Sequence, residues 1–144
     1  MTVTFCGHRE VDEPEQVREW LRETVRRLAE TGAAEFCMGD NGAFDRMAAG
    51  VVSELRRDFS GIRSVLILAY PDHPAYDAAL YDGSVYPGLE SIPRRFAISH
   101  RNRWMVERAD CVLVYVRYGW GGAAQTLEYA RRKGKRVILY PQLP

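Results

Sequence analysis

The chain is short of cysteine, of net charge and of long apolar runs, and each shortage removes a class of explanation. Cys6, Cys37 and Cys111 are odd in number and widely spaced, each in or beside an apolar segment. That pattern suits reduced, buried thiols and argues against a disulfide framework or a zinc site. Twenty basic residues against nineteen acidic leave a net charge of +1 over 144 residues. So even a balance sets up no overall basic field, which argues against a nucleic-acid partner although local arginine clusters remain. No apolar stretch approaches the ~20 residues of a membrane span, so no membrane partner is expected. The opening "MTVTFCGHRE" runs into a strand-like segment with no apolar leader core, and a cytoplasmic location is expected. Repeats, linkers and low-complexity segments are lacking. His73 stands without a cluster of ligands around it, so no metal and no resident cofactor are expected.

What is present is an ordinary globular composition, 47% hydrophobic and 27% charged, of a size that suits one domain over residues 1–144. Two hydrophobic periods alternate along it. Short apolar runs at 3–6, 34–38, 64–70, 111–116 and 136–140 read as strands. Between them, 14–32 places Val17, Leu21, Val25 and Leu28 at helical spacing, with Pro14 near its start and Gly32 at its end. Phe44, Met47, Ala48, Val51, Leu55 and Phe59 share one face of a helix over 43–59. Further helices are predicted at 94–108 and 123–133, and a long, poorly periodic connection fills 71–93. Five strands alternating with helices predict an α/β, Rossmann-like, doubly wound and mainly parallel five-stranded sheet with helices on both faces.

Ligands of such sheets bind beyond the carboxyl ends of the strands, where strand order reverses. Gly7, His8 and Arg9 follow the first strand, and "GDNGAFD" follows the second, with Gly39, Asp40, Gly42 and Asp45. "RYGWGGAAQT" follows the fourth, with Gly121, Gly122 and Thr126. Two glycine turns thus run into helices whose free N–H groups and dipole favour an anion. Neither is a P-loop, since no Gly-Lys-Ser/Thr follows, and neither is a clean GxGxxG. Asp45 suits a ribose hydroxyl or a helix-start acid equally, and Arg9 and His8 suit a phosphate or a plain loop contact. Tyr118 and Trp120 suit a base stack or an apolar cover. Arg101 falls four residues after Ala97 and four before Met105, on the packed side of its helix, and Asn102 follows Ile98 by the same step. A guanidinium there needs a carboxylate, a route to water or a ligand anion.

The segments "FCGHR" (5–9), "GDNGAFDRMAA" (39–49), "HRNRWMVERADCVLVY" (100–115) and "GGAAQTLEYARRKGKRVILY" (121–140) together resemble the SLOG superfamily. That superfamily joins the DprA/Smf proteins to the LOG (Lonely Guy) group, and the match is nearest its YpsA-like branch. The resemblance implies a nucleotide-type small molecule, such as AMP, ADP-ribose or an NAD-like ligand, bound or sensed with its phosphate on the glycine pair. It leaves homo-oligomerisation open. The LOG group cleaves the N-glycosidic bond of nucleoside 5′-monophosphates, which implies Arg101 and Glu128 as catalytic residues of an alternative, hydrolytic reading. Glu128 would stabilise an oxocarbenium-like state or orient water, and Arg101 would hold the phosphate or the leaving base. Trp120 stands where the LOG pattern has proline, Ala124 where it has a third glycine, and Thr126 one place late. A second alternative, by analogy with the DprA branch, is single-stranded DNA binding.

Overall fold

Strands and helices follow one another in the order that the two periods predict. The computed structural model describes residues 1–72 and 79–141; His73 lies outside the described residues. The elements are β1 (Thr2–Gly7), α1 (Pro14–Glu30), β2 (Glu35–Met38), α2 (Ala43–Leu55) and β3 (Arg63–Ile67). Then come β4 (Gly83–Val85), a 3-10 turn (Arg94–Phe96), α3 (Ala97–Arg108), β5 (Cys111–Tyr115), α4 (Gly122–Arg132) and β6 (Arg136–Leu139).

Among the described residues, six strands form one parallel sheet in the order β4-β3-β2-β1-β5-β6. The fold is α/β and Rossmann-like, with one strand more than the sequence predicts. The extra strand, β4, has three residues and pairs Val65 with Gly83 through Ile67 with Val85 at the sheet edge. Its sequence, Gly-Ser-Val, is too short and too polar to carry a strand signal, and only the neighbouring edge makes it one. The helix predicted over 43–59 stops at Leu55, after which Phe59 N–H still bonds to the Leu55 carbonyl in a turn.

The period-two alternation of the central strands sorts the core into two layers. Val3, Phe5, Phe36, Met38, Leu113 and Tyr115 face α1 and α2. Val17, Leu21, Val25 and Leu28 supply the matching stripe of α1. Arg22 of α1 grips Glu54 of α2 through two hydrogen bonds of 2.9 and 3.1 Å at the rim of that layer. On the other face, Cys6, Val112, Val114 and Val116 pack with Val106, Leu127 and Ala130, and Cys37, Val65 and Ile67 pack with Met105. Thr4 is a buried polar residue in that face, and its hydroxyl donates to the Cys37 carbonyl at 2.9 Å. The chain builds outward from β1 through β2, β3 and β4, then crosses back to place β5 on the other side of β1. The reversal point therefore lies between β1 and β5, whose register runs from Val3–Cys111 to Gly7–Tyr115. Among the described residues no helix is long and apolar enough to cross a membrane.

Candidate functional site

Beyond the carboxyl ends of β1 and β5 lies a cavity of about 360 Å³. The loop after β1, the start of α2, the inner face of α3 and the first turn of α4 enclose it. Gly7, His8, Arg9, Asp45, Arg101, Asn102, Gly121, Gly122 and Thr126 all line it.

Arg101 dominates its chemistry. The side chain is only 3% exposed, since Ala97 and Met105 one turn to either side seat that face of α3 on the sheet. Its Nη1 donates to the Ile67 carbonyl at 3.0 Å, its Nη2 to Asn41 Oδ1 at 2.7 Å, and its Nε to Asn102 Oδ1 at 2.8 Å. All three acceptors are neutral, and they take three of the five guanidinium N–H donors. Among the described residues no carboxylate is ion-paired with Arg101; Asp45, Tyr70 and Asp40 act on it only through space. Burial pushes its pKa down, opposed chiefly by Asp45. Burial likewise holds Asp45 above the usual carboxylate range, with Arg101 pulling the other way. A buried cation without a contacting anion is costly, and the cost falls when an anion arrives.

The first turn of α4 supplies the second half. Gly121 takes φ +92°, which a side chain would strain, and turns the chain into the helix. No side chain caps this terminus and no acid lies in its first turn. Its leading N–H groups, which a helix cannot satisfy internally, are left for whatever enters the cavity. A Cβ on Gly122 would meet nothing within 4 Å, so the space beside this cavity-lining residue is open. The turn is braced from within. The Cys6 thiol donates to the Ala123 carbonyl at 3.1 Å, and the Thr126 hydroxyl to the Gly122 carbonyl at 2.9 Å. Burial, with Asp45's charge, raises the Cys6 thiol to about 12, so this sulfur is a brace and no nucleophile.

A ladder of rings closes one side. His8 Nε2 accepts the Arg117 backbone N–H at 2.9 Å, which requires an unprotonated Nε2. Burial lowers the His8 pKa, opposed by Asp12. The imidazole stacks on Tyr118 at 3.9 Å and 8°, and Tyr118 stacks on Trp120 at 4.1 Å. Tyr118 lines the cavity, while Trp120 is 69% exposed at the top of the ladder.

Four of the predicted site residues stand elsewhere. Gly39 and Gly42 are packed against protein: a Cβ would lie 2.6 Å from Arg101 Nη1 and 2.5 Å from Arg9 Cα respectively. Asp40 is 3.9 Å from the Arg46 guanidinium. Glu128 is exposed in the second turn of α4 and lines a separate depression between α3 and α4. Conversely, Cys6, Ile98 and Met105, which the sequence marks only as apolar or buried positions, line the cavity, and so does Asn41 of the turn after β2. Asn41 holds Arg101 across 60 positions of sequence, a pairing that local pattern does not carry.

No family model and no curated protein sequence matches the chain. Solved structures do. DNA processing protein A (DprA) from Streptococcus pneumoniae superposes with a TM-score of 0.71 at 18% identity, over 99% of this chain and 50% of that one. The DNA processing protein A from Helicobacter pylori, described in its single-stranded DNA binding mode, gives 0.74 at 17% identity, over 99% and 66%. The Moco carrier protein from Chlamydomonas reinhardtii gives 0.62 at 19%, over 99% and 77%. The chain thus spans half the length of the first structure and about two thirds of the second. Identities this low show a shared fold alone.

Proposed function

We propose that the chain binds a nucleotide or nucleotide derivative, with a phosphate seated between the first turn of α4 and the Arg101 guanidinium. The observation that carries this reading is Arg101: a buried cation, held by three neutral acceptors, in the wall of a cavity shared with an uncapped helix N-terminus. The helix supplies oriented N–H donors and its dipole, and Arg101 supplies charge and two remaining donors. Asp45 sits across the same cavity as an acceptor for a sugar hydroxyl, and the edge of the Tyr118 ring, stacked between His8 and Trp120, borders it.

The near-zero net charge is no argument against a nucleic-acid ligand. One structure with this fold is described as binding single-stranded DNA, and a local site of this kind works whatever the overall balance. A phosphate at the end of a nucleic-acid strand would satisfy it as a free nucleotide would. The hydrolytic reading has less support, because Glu128 lines the depression between the helices and not the cavity that holds Arg101. Binding without turnover, in the cytoplasm, is the function we propose.

A thermal-shift series with AMP, ADP, ADP-ribose and NAD tests it. A ligand at 100 times its dissociation constant adds ~2.7 kcal/mol of stability, so at least one should raise Tm clearly. No response to any of the four at millimolar concentration contradicts the proposal. Chromatography of the same mixtures should show no free base; base released by the wild-type chain and not by Glu128→Ala restores the hydrolase.

A further inference from the structure

The depression between α3 and α4, about 500 Å³, is a neighbour of the Arg101 cavity. Ile98, Asn102, Gly122 and Thr126 line both, so the two spaces flank the same first turn of α4. The second space is built for an anionic, ring-bearing group. Arg103, Arg131 and Arg132 line it against one acid, Glu128. Arg103 and Arg132 lie over the Tyr129 ring, 5.6 and 5.7 Å from its centroid. At the boundary, Asn102 gives its Oδ1 to Arg101, and its amide N–H₂ has no partner among the described residues. Gly122 offers backbone and no side chain to either space. Each cavity is within the size range of small-molecule sites, and the two lie on either side of one uncapped helix turn.

We infer that the ligand has two nucleoside halves joined through phosphate and straddles the first turn of α4, with one half in each cavity. This rests on the proposed function, because the phosphate seat is the same. The bridging phosphate lies at Gly122 and Asn102, within reach of the buried Arg101, and the second half lies between Arg103, Tyr129 and Arg131. The shared chemistry has two sources, a pyrophosphate-linked dinucleotide and a step of a nucleic-acid strand.

Calorimetric titration of the full chain with AMP, NAD and adenylyl-3′,5′-adenosine separates these. A two-part ligand should bind roughly tenfold or more tighter than AMP, since its second half binds intramolecularly. Preference for NAD identifies the small dinucleotide, and preference for adenylyl-adenosine identifies the nucleic-acid step. The variant Arg103→Ala/Arg131→Ala changes two exposed side chains outside the first cavity. It should erase that advantage and leave the AMP affinity within about twofold of wild type. Gln125→Trp, which fills the second cavity, should do the same. Equal affinity for AMP and both two-part ligands, or variants that weaken AMP and two-part ligands alike, overturns the inference and leaves the nucleotide site standing. Absence of binding by all three overturns both.

Discussion

The two glycine turns at the strand ends look alike in sequence and differ in what their glycines do. In the turn before α2, glycine makes room for the protein itself. Gly39 lies under the Arg101 guanidinium, Gly42 lies on the Arg9 backbone, and Asp45 places an acid in the first helical turn, where it accepts the Asn41 N–H at 3.3 Å. In the turn before α4, a Cβ at Gly119, Gly121 or Gly122 would touch nothing, no side chain caps the helix and no acid lies in its first turn. The first turn carries its own anion; the second lacks one. Glycine in a loop therefore argues for a ligand only when the space it leaves is not filled by the chain.

The largest effect should come from the residue that both turns serve. Arg101→Gln should raise the Kd for AMP by at least about thirtyfold, roughly 2 kcal/mol, as for a buried charge partner removed. Calorimetry reads this directly, and an unchanged Kd would detach Arg101 from the phosphate. Next is Gly42→Ala. Its Cβ meets the Arg9 backbone, which has little freedom to yield, so urea unfolding should show a loss of about 1–3 kcal/mol. AMP affinity of the folded fraction should stay near wild type. Gly122→Ala should invert that pattern. Stability should move by no more than about 0.5 kcal/mol, while affinity falls by about tenfold, because the methyl stands where the ligand approaches. If Gly42→Ala and Gly122→Ala behave alike, the two turns are not different in kind.

The smallest effect concerns His8. Its folded pKa lies below its unfolded one because of burial, so the unfolded chain takes up the proton first. Stability should be fully present above the unfolded value, about 6.5, and fall as pH drops through that value toward the folded one. Denaturant midpoints across this window should show the decline in wild type and a shallower one in His8→Gln.

Much of this arrangement was legible in the sequence, and the exceptions have physical causes. The alternation of periods gave the parallel sheet and the strand ends, and with them the loops that border the cavity. Helical spacing placed Arg101 on the packed face of α3, because its neighbours one turn away, Ala97 and Met105, are apolar. What holds Arg101 could not be read: Asn41 and the Ile67 carbonyl reach it only once β2, β3 and α3 are assembled. Glu128 follows from helix geometry in hindsight. Six residues beyond Gly122 is a rotation of about 240°, away from the cavity, whereas Thr126 at four residues is only about 40° off. The three residues of β4 gave no signal because an edge strand that short is made by its neighbour.

A ¹H–¹⁵N titration with AMP tests the central claim most directly, because it compares the two turns in one experiment. The claim is that the anion binds on the uncapped turn before α4, with Arg101, and not on the turn that carries Asp45. The largest amide shifts should appear at Gly122 and Ala123, together with the Arg101 side-chain Nε–H, while Gly42 and Ala43, whose N–H already bonds to the Arg9 carbonyl at 2.8 Å, move little. Saturable shifts centred on Gly42 and Ala43, with Gly122 and Ala123 unmoved, would contradict it.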